Sequence, residues 1–145
     1  MQVKSLNVNL HPTVCNLCGG KVIYTSNKIL YGKEYGSGKC YYCTKCGAHV
    51  GTHVPRPDEA YGLLSNKTMQ MYRKKCHRLF DNLWKGAKNE RKMRTCLYGW
   101  LAAKMGVDTS DSHFGYFGLS QLLKVKISKM TIRSIHAHLC SEPTV

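Results

Sequence analysis

Four of the eight cysteines in this 145-residue chain fall into two pairs of the same build, Cys15-Asn16-Leu17-Cys18-Gly19 and Cys43-Thr44-Lys45-Cys46-Gly47. A C-x-x-C turn offers two thiolates from one short loop. Two such turns complete the tetrahedral set that zinc accepts, with Zn–S near ~2.3 Å. The glycine after each pair reaches the left-handed backbone conformation that such a turn needs, and it leaves N–H groups free to point at the sulfurs. The reading is therefore one structural Zn2+ held by Cys15, Cys18, Cys43 and Cys46. Disulfides fit less well, because Met1-Gln2-Val3-Lys4-Ser5-Leu6 lacks the apolar run and small-residue cleavage site of a secretory leader. A reducing cytoplasm is the expected setting. Cys40 complicates the ligand set, since Cys40, Cys43 and Cys46 are spaced by threes and either overlapping pair can serve. The Cys43/Cys46 pair is preferred because it carries the following glycine, whereas Cys40 is followed by Tyr41-Tyr42. Whether Cys40 or His53 can substitute in the metal shell stays open. Cys76, Cys96 and Cys140 read as small buried apolar residues.

The elements that must hold these ligands change character near residue 60. Before it lie β-favouring runs at Lys21-Val22-Ile23-Tyr24, Ile29-Leu30-Tyr31 and Ala48 to Val54, separated by Thr, Ser, Asn and Gly. Such a ribbon has little core of its own, so metal binding is expected to supply its folding energy, with apparent values of ~10–16 kcal/mol in zinc-finger peptides. Pro55-Arg56-Pro57-Asp58 breaks regular structure. After it, Met69, Tyr72, Cys76, Leu79, Phe80 and Leu83 recur at helical spacing, with Ser65 or Asn66 as N-cap and Gly86 as stop. A second helix is expected from about Glu90 to Met105, burying Met93, Leu97, Trp100 and Leu101, capped by Asn89 and ended by Gly106. A third starts near Ser120 and buries Leu122, Leu123 and Ile127. Ile132 to Leu139 fits a further helix or an edge strand. The predicted class is α+β: a small four-cysteine zinc-ribbon unit over residues 1–58, packed with a bundle of about three helices over residues 59–145, as one compact domain.

Charge singles out the helical part. The chain carries a formal +14, and a zinc centre of four thiolates, with two positive and four negative charges, leaves +12. Ten basic residues, Lys67, Arg73, Lys74, Lys75, Arg78, Lys85, Lys88, Arg91, Lys92 and Arg94, face only Asp81 and Glu90 between residues 67 and 94, a net of +8. A solvated helix face usually mixes the two signs, and this one hardly does. Contact with a polyanion or an acidic protein face is the expectation. No helix-turn-helix or C2H2 finger helix points to sequence-specific DNA reading. No apolar stretch approaches the ~18 residues of a membrane span, and a monomer is expected.

Catalysis is not expected. The eight acidic residues are scattered, no nucleophile stands with a base, and no phosphate-binding G-x-x-x-x-G-K-S/T loop occurs. His49 and His53 share a strand face, and His77 and Asp81 share a helical one. With His113 they offer material for a second metal or acid–base site, although ordinary structural pairing explains them equally well.

The order of features resembles a family of small phage and bacterial proteins, the zinc-finger-containing domain family, whose function is undefined. The likeness runs from the Cys15/Cys18 knuckle through Tyr42-Cys43, Cys46-Gly47-Ala48 and Val50-Gly51-Thr52-His53. It continues through Gly62-Leu63-Leu64, Arg73, His77, Phe80-Asp81 and Leu83-Trp84-Lys85, then Arg91 to Tyr98, Trp100-Leu101-Ala102 and His113-Phe114-Gly115. Cys40 and a longer basic C-terminal tail depart from the pattern. The resemblance implies a phage or mobile-element origin, and the protein looks like a zinc-bearing anti-CRISPR protein. Such a protein would bind the type II RNA-guided effector nuclease, or its nucleoprotein complex, and block target-DNA loading or cleavage. A rival reading is a direct DNA- or RNA-binding zinc ribbon, with Tyr31, Tyr35, Tyr41 or Tyr42 stacking on bases. The more ordinary place for those rings is the ribbon core.

Overall fold

The computed structural model describes residues 5–126, with the side chain of residue 126 left aside. The expected segment Ile132–Leu139, the buried place of Ile127 and Cys140 lie outside the described residues. Strands β1 (Val22–Ser26), β2 (Lys39–Cys43) and β3 (His49–Gly51) form one antiparallel sheet in that order. Among the described residues four α-helices accompany them: a single turn α1 (Lys28–Tyr31), then α2 (Lys67–Trp84), α3 (Glu90–Met105) and α4 (Leu119–Lys126). The class is α+β, and no described helix is long and apolar enough to cross a membrane.

Contacts divide the described chain into two compact units, residues 7–70 and residues 5–6 with 71–126, the division falling inside α2. Pro55-Arg56-Pro57-Asp58 lies within the first. Beyond it the chain returns to the ribbon through isolated bridges, Thr52 with Ala60 and His49 with Ser65.

In the first unit β1 pairs with β2 in the register Val22–Cys43 and Tyr24–Tyr41, and β2 pairs with β3 through Cys40–Gly51 and Tyr42–His49. The small core joins Val22, Tyr41, Ala48, Val50, Ala60 and Leu64 to Cys15 and Cys43. Two of the expected metal ligands are thus core residues here, whereas Cys18 is half-buried and Cys46 exposed. Ile29-Leu30-Tyr31 is not a strand, contrary to its β-branched and aromatic make-up. Buried Asn27 decides the matter: its amide donates to the Tyr35 carbonyl at 2.7 Å and accepts from the Tyr35 N–H at 3.1 Å. Its own carbonyl accepts from the N–H groups of Leu30 and Tyr31. These bonds fix a helical turn that ends on left-handed Gly32, at φ +77°. Strand β2 goes unmarked in the sequence, because Lys39-Cys40-Tyr41-Tyr42-Cys43 alternates poorly. Cys40, Tyr41 and Cys43 are all buried in it.

Helix α2 starts where the Asn66 side chain accepts from the Met69 N–H at 2.9 Å, which assigns the N-cap to Asn66. In the second unit α2 buries Cys76 and Phe80, four residues apart and on one face. Helix α3 has the predicted bounds. The Asn89 side chain accepts from the Lys92 N–H, and left-handed Gly106 donates to the carbonyls of Ala102 and Ala103. Two 3-10 turns, Thr109–Asp111 and Phe114–Tyr116, then place Phe114 and Phe117 in the core. Phe114 meets Phe80 at 5.0 Å, Tyr98 at 5.8 Å and Phe117 at 6.2 Å between ring centroids. In α4 Leu122 is buried, but Leu123 is exposed and does not join it.

Candidate metal centre and charged surface

The two cysteine pairs fold as matching knuckles. In the first, the Cys15 N–H donates to the Gly20 carbonyl and the Gly19 N–H to the Cys15 carbonyl, each at 2.9 Å. In the second, the Cys43 N–H donates to the Ala48 carbonyl at 2.8 Å and the Gly47 N–H to the Cys43 carbonyl at 3.0 Å. Gly19 and Gly47 sit at φ +74° and +80°, the left-handed conformation that the repeated glycine predicts. The turns then aim backbone N–H groups at sulfur: Leu17 at Cys15, Gly20 at Cys18, and Lys45 and Cys46 at Cys43, over 3.3–3.4 Å.

The register Val22–Cys43 brings the knuckles together. All four sulfurs lie within 4.8 Å of one another. Cys15 Sγ is 3.7 Å from Cys46 Sγ, and Cys18 Sγ is 3.4 Å from Cys43 Sγ. A tetrahedron with Zn–S of ~2.3 Å has edges of ~3.8 Å, so the sulfurs stand at the spacing one zinc ion requires. The chemistry of the donors agrees. The N–H groups of Cys46 and Lys45 hold the Cys43 thiol down at about 6 against the burial that opposes them. Cys46 moves the other way: the Ala48 N–H draws it down, but burial and the neighbouring sulfurs outweigh that pull. A dication in their midst is what allows all four to ionise. When bound, the zinc ion supplies cross-linking of the two knuckles. Four thiolates leave it no open position, which makes the centre structural.

Cys40 is fully buried in β2 and stands outside this group; burial pushes its thiol up. Cys76 is likewise buried, and Cys96 is half-buried. Two supporting residues carry no signal in the sequence. A Cβ on Gly20 would lie 2.5 Å from Lys45 Cβ, 3.0 Å from Cys43 Sγ and 3.1 Å from Cys18 Sγ, so only glycine fits between the knuckles. The Asn16 amide, inside the first pair, accepts from the Leu64 N–H at 2.9 Å and donates to the Leu64 carbonyl at 3.0 Å. Asn16 lies inside the first cysteine pair and Gly20 two residues after it, yet nothing in their spacing marks them.

A family model described as a zinc-finger-containing domain matches residues 11–132, a span that includes all four ligands. The chain belongs to the zinc-finger-containing domain family. No curated protein and no solved structure matches it. The member described here thus carries one structural zinc site, in agreement with the family's description.

Among the described residues, these cysteines are the one group of three or more His, Cys, Asp or Glu residues close enough to share a metal. The described histidines are dispersed. His49 Nε2 lies 3.2 Å from the Gln70 amide nitrogen, His53 packs on Tyr61 at 4.4 Å and His113 on Tyr116 at 5.0 Å. His77 stands edge-on to Phe114 at 4.9 Å, and loss of hydration there lowers its pKa. Asp81 accepts from Trp84 Nε1 at 3.1 Å and lies 3.6 Å from Lys85 Nζ.

Of the ten basic residues, Lys67 is exposed on the first turn of α2, in the zinc unit. Lys74, Lys75, Arg78, Lys85, Lys88, Arg91, Lys92 and Arg94 are exposed in the helical unit. On α2, Lys74, Arg78 and Lys85 follow one another at four- and seven-residue steps, opposite the face of Cys76 and Phe80. Arg73 differs. It is half-buried, its guanidinium donates to the Gly115 carbonyl at 3.1 Å, and burial lowers its pKa to about 10. Arg94 lies over the rings of Tyr98 and Trp84, at 5.0 and 5.9 Å.

Proposed function

We propose that this protein is a non-enzymatic, zinc-stabilised binding protein that acts as a monomer in the cytoplasm of a bacterial host. Its target is the type II RNA-guided effector nuclease or its nucleoprotein complex, and its effect is to block target-DNA loading or cleavage. One observation carries the binding part of this reading. Eight lysines and arginines are exposed between Lys74 and Arg94, and both acidic residues in that span are already engaged. Asp81 is held by Trp84 and Lys85, and Glu90 accepts from the Gly86 N–H at 2.9 Å. Eight basic against two acidic residues leave this span a net of +6, a positive field that attracts guide-RNA phosphates or an acidic protein face. The choice of effector rests on the resemblance to phage proteins. The same field also favours naked DNA or RNA, the second reading.

Cleavage by a purified type II effector, measured with and without the zinc-loaded protein, tests the proposal. Saturable inhibition at a 1:1 ratio, lost in Lys74→Glu/Lys75→Glu/Arg78→Glu, is expected. Inhibition retained by that variant moves the contact elsewhere. Binding to naked nucleic acid that falls steeply with salt, without association with the effector, replaces the first reading by the second.

A further inference from the structure

The zinc unit has a cleft of about 530 Å³ beside α1, and none of the four zinc ligands lines it. Tyr31, Tyr35 and Tyr61 line it together with Gly36, Ser37, Gly51 and Thr52. The three tyrosines are 57%, 51% and 50% exposed, a large apolar and aromatic area for so small a unit. They are nevertheless positioned. Tyr35 is anchored through its backbone to buried Asn27 and meets Tyr31 edge-on at 5.6 Å. Tyr61 is backed by His53 and lies against Gly51, where a Cβ would touch its ring at 3.5 Å. The lining hydroxyls are satisfied internally, Ser37 Oγ lying 2.6 Å from Thr52 Oγ1. What the cleft offers a ligand is therefore mainly tyrosine ring surface, which suits flat groups.

Charge selects the kind of flat group. Lys28 is exposed on α1 beside Tyr31, and Lys33 Nζ stands 5.0 Å from the Tyr35 ring centroid. The neighbouring carboxylate, Glu34, accepts from the Ser26 hydroxyl at 2.8 Å. Lys28 and Lys33 outnumber Glu34, which stays anionic in that bond, so the net charge around the rings is positive and favours a stacked group that carries negative charge. Nucleobases joined by phosphates combine both properties, and base–tyrosine stacking is tolerant of sequence. The geometry points to the Tyr31/Tyr35/Tyr61 cleft as a stacking site for single-stranded nucleic acid, with Lys28 and Lys33 meeting its phosphates. A paired duplex cannot use this site, because its base faces are already stacked. The site uses none of the helical-unit lysines and arginines, so it stands or falls apart from the effector reading.

The test is fluorescence anisotropy of a labelled ten-nucleotide oligouridine and of a duplex of equal length, titrated with the full zinc-loaded chain. Tyr31→Ala/Tyr61→Ala should weaken single-strand binding about tenfold or more and leave duplex binding unchanged, while Tyr31→Phe keeps the ring and the affinity. Ultraviolet crosslinking of oligouridine to the unaltered protein gives an independent readout. Crosslinks at Tyr31, Tyr35 or Tyr61 are expected. Unchanged affinity in the double variant, equal loss for the duplex, or crosslinks confined to residues 73–94 would each overturn the assignment. So would capture of a proline-rich peptide in place of the oligonucleotide.

Discussion

Gly20 is the residue on which the metal centre is most sharply constrained. Gly19→Ala meets no atom within 4 Å and strains only a left-handed backbone, a cost of about 1–2 kcal/mol. Gly20→Ala drives a methyl group between Lys45 and two ligand sulfurs, so the knuckles must separate. Overpacking of this kind costs about 1–3 kcal/mol, and here it falls on the metal geometry. Zinc competition with a chromophoric chelator should show clearly weaker binding for Gly20→Ala and near-normal binding for Gly19→Ala. The cysteines divide in the same way. Cys40→Ala should keep one zinc per chain and lower only the melting temperature, because Cys40 is packing. Cys15→Ser or Cys46→Ser should lose stoichiometric zinc and folded yield. Metal analysis of the three purified variants checks this, and zinc lost in Cys40→Ala would reopen the ligand set.

The elements show where sequence carries enough information. Helix α3 is legible to the residue because both ends have their own chemistry, an Asn89 cap and a left-handed Gly106. Asn89→Ala should therefore cost about 1 kcal/mol, seen as an earlier urea midpoint with an unchanged slope, and Asn89→Asp should cost little. The four zinc ligands are legible for a similar reason, since a repeated C-x-x-C-G encodes its turn locally. Other features rest on partners far along the chain or on irregular backbone. Residues 29–31 have strand-like side chains, but the bonds between Asn27 and Tyr35 make them a helical turn. Phe114 and Phe117 follow no helical or strand period because 3-10 turns place them. Gly20 and Asn16 matter only once the second knuckle and Leu64 arrive from well over 20 residues away.

At the scale of the whole molecule, the two units depend on zinc unequally. Residues 7–70 have a small core that includes two of the ligands themselves. Residues 71–126 have an aromatic cluster of Phe80, Tyr98, Phe114 and Phe117 and no part in the metal. A strong chelator should therefore abolish hydrogen-exchange protection in β1, β2 and β3 while protection in α3 persists. Equal loss in both units would show that zinc supports the entire chain. The fold of residues 7–70 depends on the four-sulfur centre, and the direct measurement is zinc-edge X-ray absorption on the purified protein. It should report one zinc per chain with four sulfur neighbours near ~2.3 Å. A nitrogen or oxygen neighbour, or protein that folds fully without zinc, would contradict a structural four-cysteine site.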